Sequence, residues 1–364
     1  MKPISQLKQW LRPLYTLDKT IIIVLLLLAL INVFVQFSAN DKVFSRLIND
    51  IIYLIISFAL LFIMANISLS QLKHIAVPLY ICSVLLLVAV LLFGIRLNGA
   101  KRWLNLGLRI QPSELCKLSV PIVLAYYFSV KTTLPKLLDF AGALLIILLP
   151  FALIAKQPDL GTSILVFAAG FFVMFFAGLP WRVIIISFIL LISSTPIIWH
   201  FMHDYQQHRI LTLLNPQSDP LGKGYHIIQA IIAIGSGGLW GKGYLHGTQI
   251  HLDFIPEKHT DFVITVLAEE FGYVGVCLIL GLYLILILRG LNITRQATDI
   301  FARVLAGSIT LSLMLYVVIN MGMVVGILPV VGVPLPLISY GGTATVVLML
   351  GFGILLRIEK QNRY

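Results

Sequence analysis

The chain has 364 residues, of which 59% are hydrophobic and 11% charged, with a mean hydropathy of +0.99. A soluble domain carries roughly 25% charged residues, so the composition excludes a soluble enzyme, a disordered chain and a disulfide framework, and fits a polytopic membrane protein. The net charge of +11 resembles a nucleic-acid signal, but in a membrane protein Lys and Arg mostly report topology; no nucleic-acid partner is expected.

A membrane span needs about 20 mostly apolar residues. Ten such stretches are predicted, at 20–37, 51–69, 76–95, 115–130, 138–155, 163–179, 183–202, 261–288, 304–327 and 336–356. The fold class is therefore an all-α polytopic membrane protein of about ten transmembrane helices. Residues 1–364 form a single integral membrane domain, and 203–260 is a large extracytoplasmic loop between helices seven and eight. The first stretch is too long for a cleaved signal peptide, and no small-residue cleavage site follows it. Cys82, Cys116 and Cys277 lie singly in or beside apolar runs, with no CxxC.

With both termini in the cytoplasm, 14 of the 26 Lys and Arg fall inside. The positive-inside rule counts short loops, and four of the outer basic residues belong to the long loop. Five more, Arg96, Lys101, Arg102, Arg109 and Lys117, crowd one outer segment between spans three and four. That breach of the rule points to a polyanionic partner such as a phosphate headgroup; a solvated loop is the plainer alternative.

The same segment, Gly99 to Leu118, carries a helix start. Pro112 suits a first helical turn, Glu114 in that turn meets the positive end of the helix dipole, and Lys117 three residues on shares its face. Trp103 fits an interfacial stretch. A Glu–Lys pair at this spacing is usually a weak surface pair, but at the mouth of a span charges are expensive and tend to be functional. Between spans five and six lies Lys156-Gln157-Pro158-Asp159-Leu160-Gly161-Thr162, where Asp159 and Thr162 are also natural helix caps. In the long loop an apolar stretch from Tyr225 to Ile234 precedes Gly235, Gly237, Gly238, Gly241, Gly243 and Gly247. These glycines would let the loop fold back tightly; the spacing around Lys242 does not fit a P-loop.

The loop ends at Thr260-Asp261-Phe262, where Thr260 or Asp261 is a good N-cap for span eight. Glu269 and Glu270 follow, roughly 12–14 Å along a continuous helix at about 1.5 Å per residue, and must be protonated, paired or hydrated; packing between helices and function serve equally as readings. Before span ten, Pro329 to Gly342 interrupts an apolar run with prolines and glycines, a pattern tolerated at membrane depth only where backbone packs on protein or lines a cavity. The eight His residues show no HExxH and no paired metal spacing. All four elements fall on the outer face in one topology, so Glu114, Lys117, Asp159 and Asp261 can gather at one pocket. There a carboxylate could take a proton from a sugar hydroxyl while Lys and Arg hold a pyrophosphate.

On these motifs the chain resembles the SEDS family (shape, elongation, division and sporulation) of peptidoglycan glycosyltransferases, over Gly99–Lys117, Lys156–Thr162, Gly224–Gly247, Pro256–Gly272 and Asn320–Gly342. The block from Gly224 to Gly243 looks more like the elongation (RodA-type) branch than the division (FtsW-type) branch; Thr343 after Gly342 departs mildly from the usual Ser or Asn. The resemblance implies a bacterial cytoplasmic (inner) membrane protein of the elongation machinery that maintains rod shape and polymerises lipid II at the outer face. Its implied partner is a class B penicillin-binding protein supplying the transpeptidase. It implies that Asp261 is catalytic, deprotonating the GlcNAc 4-hydroxyl of lipid II while the growing glycan loses undecaprenyl diphosphate with inversion. Substrate-binding positions are expected at Lys117, Glu114, Arg109, Arg102, Lys101 and Asp159, without individual roles. A divalent cation, magnesium or manganese, would suit a pyrophosphate leaving group, but no metal ligand set is visible. The alternatives are a lipid-linked precursor flippase, which Glu269, Glu270 and the basic segment would also suit, and a catalytically silent scaffold.

Overall fold

The computed structural model describes residues 17–40, 44–97, 100–105, 109–131, 133–202, 204–219, 222–251 and 257–363. The N-terminal residues Lys2, Lys8 and Arg12, counted above in the topology, lie outside them, as do Gly99 and Pro256 of the quoted motifs.

Each of the ten predicted stretches carries a helix. They are α1 (Lys19–Ala39), α2 (Phe44–Asn66), α3 (Leu69–Phe93), α4 (Pro112–Ser129), α5 (Leu137–Ala155) and α6 (Leu160–Phe176), then the bent pair α7 (Trp181–Ser193) and α8 (Thr195–Phe201). After the long loop come α12 (Val263–Gln296), α13 (Ile300–Val324) and α14 (Gly342–Asn362). Among the described residues seven helices are long and apolar enough to cross a membrane, or eight if the bent pair is one span. The two others are α4, whose first turns carry Glu114 and Lys117, and α6, which has only 17 residues. Span ten begins later than expected, at Gly342 rather than 336, because Pro334 and Pro336 keep the preceding backbone out of a helix.

Local chemistry fixes the starts. Asp18 caps α1 through Thr20 N (2.8 Å) and Ile21 N (3.2 Å), and Ser68 with Gln71 forms a capping box on α3. α14 lies along α2, α13 along α12 and α6, and α4 along α3 and α6. Leu25, Leu28, Ile122, Leu124, Val166, Leu305 and Leu356 are fully enclosed between them. On the periphery Ile23, Leu26, Ile55, Leu85 and Leu145 are exposed, and α7 has no buried residue. Apolar surface on that scale is stable only in lipid or against another protein.

The segment between α3 and α4 departs from the all-helical expectation. It forms β1 (Ile95–Leu97), β2 (Ala100–Asn105) and β3 (Arg109–Ile110), an antiparallel sheet in the order β1-β2-β3. Leu97 pairs with Ala100, and Asn105 with Arg109.

The long loop contains α9 (Asp204–Leu214), α10 (Lys223–Gly237) and the short α11 (Thr248–His251). α10 packs on the start of α12, burying Ile227, Ala230 and Ala233. There α12 breaks at Gly272, at φ 65°. An unbroken helix would bond Tyr273 N to Glu269 O and Val274 N to Glu270 O. Instead Tyr273 N and Val274 N donate to Gly238 O (2.9 Å) and Leu239 O (3.2 Å) of the loop. The freed Glu269 O and Glu270 O accept from Lys242 N (2.9 Å) and Gly243 N (3.0 Å). The loop is thus spliced into the helix ladder. The approach is so close that a Cβ on Gly237 would lie 2.0 Å from Ala268 O, and one on Gly241 2.1 Å from Glu270 O.

The splice also answers the question of the two glutamates. Glu269 is wholly buried and accepts from Lys242 Nζ (2.6 Å), Thr248 N (2.8 Å) and Gln249 N (3.0 Å). Glu270 accepts from Leu245 N (3.1 Å) and Ser38 Oγ. Both hold the loop down. Both lie just before the break at Gly272, on the stretch of α12 that the loop covers.

Candidate active site

At the end of the bundle that carries the long loop, the strands, two helix starts and two irregular segments enclose a cavity of about 410 Å³. Its lining includes Arg102, Glu114, Lys117, Asp159 and Asp261, five of the expected site residues, which lie far apart in the chain.

Glu114 and Lys117 come from the first turns of α4, which begins with Pro112 as expected. Their ion pair spans 2.6 Å with both side chains buried, at 7% and 8% exposure, so it is not the surface pair that such a spacing usually gives. The Lys117 ammonium also lies 5.0 Å from the centre of the Tyr316 ring. Asp159 does cap α6, accepting from Thr162 N (3.3 Å). Its other oxygen accepts from Gln111 Nε2 (3.0 Å) and faces Arg102 Nε at 3.8 Å. Arg102 in turn donates to Pro158 O, tying β2 to the start of α6. Asp159 is therefore both a cap and a cavity wall.

Asp261 does not cap span eight. α12 begins at Val263, and its N-cap position is Phe262, which makes no side-chain bond there. The turn 257–262 is held from three sides instead. Gln36 Nε2 donates to His259 O (2.9 Å), Ser339 Oγ to Thr260 O (2.5 Å) and Asn320 Nδ2 to Asp261 O (2.9 Å). Asp261 is half-buried, and Gly332, in the segment before α14, faces its carboxylate.

Two expected binding residues stand differently. Lys101 turns away from the cavity and donates to Leu91 O (2.8 Å) and Leu92 O (2.9 Å), closing the C-terminal carbonyls of α3. Arg102 lines the cavity, whereas Lys101 is spent on the end of α3. Arg109 is placed by its backbone in β3, but its side chain lies outside the described residues. Sequence reasoning missed the aromatic and polar walls: Tyr53 of α2, Trp103 of β2, Gln111, Thr162 and Tyr340. Trp103, expected at the interface, lines the cavity beside Arg102.

Two cations and three carboxylates line the cavity, so the excess of positive charge expected from the basic segment is absent from the described lining. Among the described residues no group of three or more His, Cys, Asp and Glu could hold a metal ion. Glu114 is committed to Lys117, and Asp159 to Gln111, Arg102 and Thr162. The residues present do not make a protein-only metal site. A second, apolar pocket between α4, α6, α13 and α14 shares Lys117, Leu165 and Pro334 with the polar cavity.

Residues 12–364 match the cell cycle protein family of FtsW, RodA and SpoVE. The chain is 49% identical over 349 residues to the peptidoglycan glycosyltransferase MrdB of Escherichia coli, covering 95% of this chain and 94% of that one. It is 33% identical to the peptidoglycan glycosyltransferase RodA of Treponema pallidum, over 77% and 81% of the two chains. Among solved structures, a chain of a peptidoglycan synthase complex that coordinates polymerization and crosslinking superposes with a TM-score of 0.83 at 31% identity, covering 95% of this chain and 98% of that one. The rod shape determining protein RodA of Thermus thermophilus gives 0.72 at 30% identity, over 96% and 98%.

Proposed function

Starting from the chain's membership of the FtsW/RodA/SpoVE (SEDS) family, to which it belongs, we infer that it is a peptidoglycan glycosyltransferase of cell elongation, embedded in the membrane by its multiple spans. The substrate in this reading is lipid II, polymerised at the outer face of the bacterial cytoplasmic membrane. The observation that carries the site assignment is the convergence of Arg102, Glu114, Lys117, Asp159 and Asp261 on one cavity beside the long loop.

Asp261 acts as general base. Its carboxylate takes the proton of the acceptor 4-hydroxyl, whose oxygen attacks the anomeric carbon of the growing glycan. The bond to undecaprenyl diphosphate breaks, and the electron pair leaves on the diphosphate with inversion at the carbon. Arg102 and Lys117, each already facing a carboxylate, turn their remaining donors to the diphosphate. Burial strengthens those contacts, because the local dielectric is low. Arg109 stays a proposed contributor from β3. A magnesium or manganese ion would have to come with the diphosphate, because the described lining makes no site for one by itself.

A class B penicillin-binding protein is the proposed partner, supported by the likeness to a chain of a peptidoglycan synthase complex. Its proposed docking surface is the lipid-facing side of α12 and α13 with part of the long loop. The orientation, both termini inside and the loop outside, rests on the charge of the short loops.

The flippase alternative is not favoured. The cavity's described lining lies at the loop end, while the other end of the bundle is tied by the Asp18–Arg289 (2.5 Å) and Lys73–Asp299 (2.8 Å) pairs. The deciding experiment uses purified protein with its partner in detergent, lipid II, and a β-lactam that blocks transpeptidation. Glycan polymer is expected. Detergent has no second leaflet, so a flippase or a silent scaffold yields none.

A further inference from the structure

We propose that Asn320 is a positioning residue that sets the Asp261 carboxylate in place; the inference rests on the reading of Asp261 as the general base. Asn320 lies on α13 with no exposed surface. Its one amide nitrogen donates to Asp261 O at 2.9 Å and to Val333 O at 2.8 Å. Those two carbonyls belong to the two irregular segments that form facing walls of the cavity, Thr260–Asp261 on one side and Gly332–Pro334 on the other. One planar group from a third element therefore fixes the distance between them and ties both to the bundle.

Three features make that distance matter. Asp261 precedes α12, whose first helical residue is Val263, so the α12 ladder does not hold its backbone and the restraint must come from outside. The walls are close: a Cβ on Gly332 would lie 3.3 Å from Asp261 Oδ2. A general base must come within about 2.6–3.2 Å of the atom it deprotonates, so a shift of a few tenths of an ångström between the walls changes whether an acceptor hydroxyl can sit there. The chemistry of the bridge is also specific. An amide nitrogen offers two donors in one plane, a hydroxyl one, an ionised carboxylate none. Ser339 makes a related link one residue away, donating to Thr260 O (2.5 Å) and accepting from Leu335 N (2.7 Å). The Asp261 carbonyl itself receives the α13 amide. Asn320 does not line the cavity; it acts through Asp261.

The test uses Asn320→Asp and Asn320→Ser in the full chain purified with its transpeptidase partner. Initial polymerisation rates are measured across lipid II concentrations, and the binding-competent fraction is titrated with lipid II. We expect kcat per competent molecule to fall about 10–100-fold, the scale of a misplaced catalytic group, with KM near wild type. The fall should be smaller for Ser, which keeps one donor. If the Asp variant does not accumulate in the membrane, the Ser variant alone carries the measurement. Unchanged kcat per competent molecule overturns the proposal, since the amide would then serve folding only. A raised KM at unchanged kcat also overturns it, because the amide would then hold substrate. Asp261→Asn is run beside them. If that variant polymerises normally, the general-base reading fails and this inference with it. If it is inactive while the Asn320 variants are unimpaired, only this inference fails.

Discussion

Gly332 presents its missing side chain to Asp261: a Cβ there would stand 3.3 Å from the Asp261 Oδ2 atom. At φ +77° the residue also occupies backbone space that costs a side chain roughly 1–2 kcal/mol. Gly332→Ala should therefore lose polymerisation beyond what its loss of thermal stability explains. A parallel fall of the two, measured by polymer yield and thermal midpoint, would mean that the residue serves the fold alone.

Asp261→Asn separates base from backbone. The turn 257–262 is held through main-chain carbonyls, so the amide should leave insertion, stability and partner binding intact. Loss of one general base typically costs about 10²–10⁴-fold in rate. Initial rates within a few-fold of wild type would pass the role to another carboxylate, Glu114 first.

The buried Glu114–Lys117 pair needs a variant in which stability and chemistry part. Lys117→Ala leaves a buried carboxylate without its partner, a loss of about 3–5 kcal/mol in comparable pairs, so inactivity alone says little. Glu114→Gln with Lys117→Met removes both charges and should restore the thermal midpoint without restoring polymer. Polymerisation by that double variant would remove the pair from the mechanism. Lys136→Ala, at an exposed N-cap far from the cavity, should behave as wild type.

Adjacent residues of β2 should differ in kind. Lys101→Ala unties the Leu91 and Leu92 carbonyls, a stability effect of about 0.5–1.5 kcal/mol per bond, with activity per folded molecule kept. Arg102→Ala strips the link to Pro158 and Asp159 and should lower the polymerisation rate. Equal rates for the two would mean that Arg102 is no more part of the site than Lys101.

The topology is checked with a single reporter. Gln217 is exposed in the long loop; after replacement of the exposed Cys82 and Cys277, Gln217→Cys should react with a membrane-impermeant thiol reagent added to the outer side. Labelling from the cytoplasmic side alone would invert the orientation and with it the outer-face assignment.

Most of the helical frame is legible in the amino-acid order, because a span is a local property of about 20 residues. The errors are where local rules compete. α2 starts at Phe44 rather than 51, since Arg46 and Asp50 read as loop while the structure keeps them helical. The β1–β2 hairpin had a sequence signal, Asn98-Gly99 between apolar residues, a dipeptide favoured in two-residue turns, which a count of spans passes over. At the site, the convergence of Glu114, Lys117, Asp159 and Asp261 followed from topology, but which way each charge points did not. Lys101 and Arg102 separate only once their partners are known. Tyr53 and Tyr340 reach the cavity through contacts between α2 and the start of α14, which no local pattern encodes.

The exchange of partners at Gly272 bears on how the protein is made and remade. In lipid an unpaired peptide group costs several kcal/mol, so the break at Gly272 is satisfied only while Gly238, Leu239, Lys242 and Gly243 are in position; without them the same groups would pair along a continuous helix. During biogenesis the docking of the segment that emerges first from the ribosome then decides whether span eight is broken or straight. A chimera that exchanges loops between relatives should carry 237–243 together with 268–274. Joined elsewhere, each half would arrive in the membrane with carbonyls and amides whose intended mates were left behind.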